Sequence, residues 1–94
     1  MATQTSFSHQ IQLAEDLKKY LVNLHERLFF VTTDYNNKVN DMHQQGMMEE
    51  YYSKFVQEYV YETNQKIKEV INLIHERDIP FIEKYIAYLM SHPQ

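Results

Sequence analysis

The five histidines, His9, His25, His43, His75 and His92, are the residues with the most chemistry to offer. Imidazole ligates metals and moves protons near neutral pH. Both roles need company at the right spacing. The chain has no His-Glu-X-X-His run and no Glu-X-X-His of the di-iron bundle type. His25-Glu26 and His75-Glu76 set neighbours on different parts of a helix surface, a poor arrangement for sharing an ion. We therefore read the histidines as surface or interface residues and expect neither a metal nor a cofactor. Nucleophilic catalysis has less support. There is no Cys, and Ser6, Ser8, Ser53 and Ser91 lack a base-and-orienter pattern. A single glycine cannot build a phosphate-cradling loop. The expectation is a protein that is not an enzyme.

A second group is the run Tyr51-Tyr52-Ser53-Lys54-Phe55-Val56-Gln57-Glu58-Tyr59-Val60-Tyr61. On a helix, positions 51, 52, 55 and 59 point broadly one way and 61 elsewhere. Two readings stay open. Some of these rings line a core while others are amphipathic surface, or the run is a docking face for a second protein. Nucleic acid is a poor match, because Glu49, Glu50, Glu58 and Glu62 would repel phosphates. The whole chain is acidic, with 13 Asp and Glu against 9 Lys and Arg, for a net charge of −4. It lacks the basic footprint that nucleic-acid binding needs.

These residues must be carried by long helices. The chain has 94 residues, 44% of them hydrophobic, but only 1 Gly and 2 Pro. Such a composition supplies a core and leaves little for the turns of a sandwich or barrel. No stretch of 18 apolar residues is present, so no membrane span is expected. The opening residues lack a basic and apolar leader, and residues 1–6 read as a frayed terminus. Ser6 or Ser8 can cap the helix that follows.

From there Ala14, Leu17, Leu21, Leu24, Leu28, Val31, Tyr35 and Met42 fall in steps of three and four, a heptad seam broken at Lys38. Leu13, Tyr20, Phe29, Phe30 and Val39 widen it. The pattern predicts one helix over about 7–43, on the order of 55 Å long. Gly46 is placed to reverse the chain, with Gln44 at the start of the turn. A second helix over about 47–90 carries the seam Tyr52, Val56, Val60, Thr63, Ile67, Val70, Ile74, then Phe81, Tyr85 and Tyr88 or Leu89. Pro80 predicts a kink, or a restart behind Asp78. Glu15–Lys19, Glu50–Lys54 and Glu62–Lys66 mark a solvent-facing strip. Asn23-Leu24-His25-Glu26-Arg27 and Asn72-Leu73-Ile74-His75-Glu76-Arg77 hint at an internal repeat. The fold expected is all-α: an antiparallel two-helix hairpin forming a single domain over 1–94. Two helices cannot cover so wide an apolar stripe, so the hairpin is expected to pair into a four-helix bundle.

The segment Gln44-Gln45-Gly46-Met47-Met48-Glu49-Glu50-Tyr51-Tyr52-Ser53-Lys54-Phe55 resembles the central turn of the small helical hairpins of type VII secretion. These are the Trp-X-Gly (WXG), early-secreted-antigen-like family. Met48 holds the family's small or apolar position two places after the glycine, and Tyr52 its aromatic position six places after. The architecture is similar over about residues 7–90. The chain departs from the family at Gln44, which stands where the family has its tryptophan. It also lacks the Tyr-X-X-X-Asp/Glu export signal: Tyr85 is followed by Leu89 and Tyr88 by His92. The resemblance implies a protein that travels without a cleaved signal peptide and pairs with another helical protein.

The function expected is a non-catalytic interaction protein, a type VII secretion-like substrate, or a co-secreted partner or targeting chaperone of a larger helical toxin or effector. The alternative is a cytoplasmic regulatory or immunity protein whose acidic helices occlude a target. A helical-bundle enzyme or metal carrier is a third. The partner is a second copy, giving a homodimer, or a different helical protein, giving a heterodimer. The location is cytoplasmic, or outside the cell by leaderless export. The expected interface is Leu17, Leu21, Leu24, Leu28, Val31, Tyr52, Phe55, Tyr59, Ile67, Val70, Ile74, Phe81 and Tyr85. An Asp in place of Leu24 or Val70 is expected to abolish folding or assembly.

Overall fold

The computed structural model describes residues 6–92, so of the terminus expected to fray only Ser6 is included. All its elements are helical. Helix α1 is Phe7–Gln44. Ser6 caps it: its Oγ accepts the His9 N–H at 3.2 Å and its carbonyl accepts the Gln10 N–H at 3.0 Å. Within α1 the Thr32 hydroxyl donates to the Leu28 carbonyl at 2.8 Å. The β-branched residue is thereby accommodated without a break.

The reversal is a Schellman ending. The Gly46 N–H bonds the His43 carbonyl at 3.2 Å and the Met47 N–H bonds the Met42 carbonyl at 3.1 Å. Gly46 has φ of 109°, a conformation that side chains other than glycine's resist. Met47 and Met42 line one groove with Tyr35, Val39 and Phe55, the apolar contact that accompanies this motif. Gln44 is the last residue of α1.

The return runs helically from Glu49 to Ser91. Helix α2 is Glu49–Phe55, α3 is Tyr61–Leu73 and α4 is Ile79–Ser91. They are joined by two π-turns, Val56–Val60 and Ile74–Asp78. Across each π-turn a backbone N–H reaches five residues back, Tyr61 to Val56 and Ile79 to Ile74. The sequence gives a reason. Tyr52, Val56, Val60 and Asn64 follow one another at steps of four, as do Ile74, Asp78, Ile82 and Ile86. Such steps drift off one face of a 3.6-residue turn, and the wider π-turn brings them back. The irregularity expected near Pro80 is therefore a π-turn just ahead of it. The helix does not restart there. Asp78 has helical angles (φ −71°, ψ −49°) and its side chain caps nothing.

The chain forms two compact units. One joins residues 6–25 to 73–92, and the other is residues 26–72 with the turn. In each, a stretch of α1 packs antiparallel to part of the return. The first unit buries Ala14, Ile74 and Leu89, and the second Val60 and Ile71. The all-α antiparallel hairpin expected from the seams is thus observed.

The side that faces inward is rotated from the heptad expectation. In the first unit Ile11, Lys18, Leu21, Leu24 and His25 flank buried Ala14, while Leu17 is exposed. In the second, Leu28, Thr32, Tyr35, Asn36, Val39 and His43 turn inward, while Val31 and Met42 are exposed. On the return, Ile71 is buried where Val70 was expected, and Val70 is 46% exposed. The geometry is simple. Leu17 lies about 60° to one side of Ala14 and Lys18 about 40° to the other. The neighbouring helix takes the row containing Lys18.

Candidate functional site

Beside the inward face an apolar row stays open. In the first unit Leu13, Leu17 and Tyr20 are exposed on α1, spaced four and three and hence on one strip. Phe81, Tyr85 and Tyr88 repeat that spacing on α4 and are also exposed. Leu17 and Leu21 share a groove with Phe81 and Ile82, closed at one edge by Arg77 and Asp78, which pair at 2.8 Å. Helix α4 has only two charged residues, Glu83 and Lys84, and Glu83 is held by Lys18 at 3.0 Å. Phe81 is 69% exposed and Met90 63%. A helix this apolar is usually covered on more than one face.

In the second unit the open apolar surface includes Phe30, Val31, Met48, Phe55, Tyr59 and Val70. The rings of Phe55 and Tyr59 lie 5.9 Å apart, tilted. Tyr51 and Tyr61 are exposed as well, while Tyr52 turns inward. The tyrosine run is thus divided. One ring joins the hairpin's packing and the others face outward.

The residues expected at an interface separate into two groups. Ile74 is buried, and Leu21, Leu24, Leu28, Tyr52 and Ile67 are half-buried within the hairpin's own packing. Leu17, Val31, Phe55, Tyr59, Val70, Phe81 and Tyr85 are exposed. The second group keeps much of its surface exposed, although Tyr85 bonds Gln10 and Phe55 pairs with Tyr59.

Several polar side chains pair within the hairpin. The rings of His25 and His75 lie tilted with centroids 5.2 Å apart. Tyr85 donates to Gln10 Oε1 at 3.1 Å. Asn36 and Asn64 exchange two side-chain hydrogen bonds. At the turn, the His43 imidazole donates to Glu49 at 2.5 Å and its ring lies 4.0 Å from that of Tyr52, nearly parallel. Ser53 Oγ donates to the same carboxylate at 3.2 Å. The hydrogen bond from His43, then that from Ser53, hold the Glu49 carboxyl below the usual carboxylate range. Glu49 begins α2, where the helix dipole favours a carboxylate.

Sequence reading did not find the Asn36–Asn64 pair or the His25–His75 contact. The repeated His-Glu-Arg was the signal for the second. For the first, the signal was two amides inside otherwise apolar periodicity. Among the described residues no group of three or more His, Cys, Asp or Glu can hold a metal ion. No described helix is long and apolar enough to cross a membrane.

No protein-family model matches the chain, and none of the curated proteins or solved structures compared with it is a match.

Proposed function

We propose that the protein is a non-catalytic interaction protein that completes its fold against another helical protein. The observation that carries this reading is the apolar strip left open beside the hairpin's own seam. The seam takes Leu21, Leu24, Leu28, Tyr35 and Val39 together with polar Lys18, His25, Thr32, Asn36 and His43, while Leu13, Leu17, Tyr20, Val31 and Met42 stand outside it. Covering that strip would remove further apolar surface from water. The arrangement makes sense when a second pair of helices covers that row, as in a four-helix bundle. Tyr and Phe dominate the open face of α4, and such rings are enriched at protein interfaces.

The WXG-like spacing of Gly46, Met48 and Tyr52 supports a place in type VII-like secretion, as a co-secreted partner or targeting chaperone of a larger helical protein. On this reading the chain is made in the cytoplasm and leaves without a cleaved signal peptide. The test is co-purification of tagged chain from its native cell, with wild type beside Leu17→Asp/Phe81→Asp. A stoichiometric helical partner, or a second copy, that is lost with the double variant supports the reading. A basic globular toxin domain bound through the acidic faces, and kept by the variant, would replace it with the immunity-protein alternative.

A further inference from the structure

The side chains of Asn36 and Asn64 lie opposite each other in the second unit, 28 residues apart in sequence and both partly buried. Asn36 Nδ2 donates to Asn64 Oδ1 at 2.9 Å, and Asn64 Nδ2 donates to Asn36 Oδ1 at 2.9 Å. The other hydrogen of Asn36 Nδ2 goes to the Thr32 carbonyl at 2.8 Å. Each amide thus both gives and accepts across the seam. Their neighbours on the inward faces are apolar or weakly polar: Leu28, Thr32, Tyr35 and Val39 on α1, and Val56, Val60, Ile67 and Ile71 on the return. Such layers recur every three or four residues. A displacement of one helical turn exchanges one aliphatic layer for another with little loss. The same displacement sets Asn36 against Val60 or Ile67 and Asn64 against Thr32 or Val39, so the reciprocal amide exchange is lost and Asn36 faces an aliphatic group, which is unfavourable.

We propose that the Asn36–Asn64 pair is a register key. It makes the hairpin close in one alignment among several that the apolar layers alone would accept, and it does so at the expense of stability. A buried asparagine has this effect in coiled coils, where it fixes alignment while weakening the assembly. The key has particular value here. The exposed rows reach their partner only if α1 and the return are aligned so that the strips of both helices fall beside each other.

The experiment replaces both amides, Asn36→Leu/Asn64→Leu, in the full chain and follows residues 26–72 by ¹H–¹⁵N correlation spectra and interhelix NOEs. Wild type should give one amide resonance per residue and contacts in one alignment. The double variant should stay helical by circular dichroism, with a melting temperature at or above that of wild type. It should show at least a doubling of resonances along the seam, with NOEs from more than one alignment. A single set of resonances in the wild-type alignment would overturn the proposal. Loss of helical structure would also overturn it, because the pair would then be holding the fold together rather than selecting its alignment.

Discussion

The two units solve the same packing problem with different materials. The first, built from residues 6–25 and 73–92, buries Ala14, Ile74 and Leu89. Its polar contacts include the Lys18–Glu83 ion pair, the Tyr85–Gln10 hydrogen bond and the tilted His25–His75 ring pair, with no reciprocal amide exchange in its seam among the described residues. The second, residues 26–72, buries Val60 and Ile71 but sets an amide pair in the seam and a His43–Glu49–Tyr52 cluster at its turn. Hydrophobic contact is non-directional, whereas hydrogen bonds demand a fixed geometry. The first unit is therefore held by apolar burial, and alignment is set mainly in the second. The open apolar surface of α4 belongs to the unit with the less specific interior.

The largest effect should come from a charge in either seam. Ile71→Asp places an unpaired carboxylate at a position 6% exposed, and Leu89→Asp does the same at 3%. Each should lower stability by about 3–5 kcal/mol and unfold its unit in urea titrations. Val70→Asp is the control. At 46% exposure it should leave the hairpin's helicity intact and weaken only assembly.

That contrast shows how much of the molecule was legible beforehand. The helices, the reversal at Gly46 and the apolar periodicity all follow from local pattern. The face that packs does not. Val70 and Ile71 are adjacent, both β-branched and both plausible members of a seam with Ile67 and Ile74. The choice between them depends on the π-turns, which reset the phase of the return and leave no sign stronger than two runs of four-residue steps. Lys18 and Asn36 were unexpected on an inward row because their partners, Glu83 and Asn64, lie 65 and 28 residues away. The exposed candidates, Leu17 and Phe81 among them, were recognised as apolar, but sequence could not separate their row from the hairpin's own.

A smaller effect should follow from Asn36→Leu alone. It leaves the Asn64 amide facing an aliphatic group, at about 1–3 kcal/mol, measured by chemical denaturation. Because this loss acts on the second unit, hydrogen exchange should rise first over residues 26–72. Gly46→Ala should cost about 1 kcal/mol: the added Cβ meets nothing within 4 Å, so the penalty is that of φ 109° alone. It too should show at the turn before the first unit responds.

The smallest effect is the pH response of the turn. Glu49 titrates lower in the folded chain than in the unfolded one. Its contribution is present above the unfolded value of about 4.3 and is lost as pH falls through the folded value. Acidification should loosen the turn slightly, and His43→Gln should flatten that dependence. The readout is exchange of the Met47 and Met48 amides between pH 6 and 3.

The central claim is that the apolar row left outside the hairpin is covered by another helical protein. The most direct measurement is sedimentation velocity, run on wild type and on Leu17→Asp/Phe81→Asp. It uses the purified chain over a hundredfold concentration range and the complex recovered from native cells. The expected result is a complex with a second copy or a helical partner that is lost in the variant, whose helicity remains. A wild-type chain that is monomeric throughout, and recovered from cells without a stoichiometric partner, would contradict it.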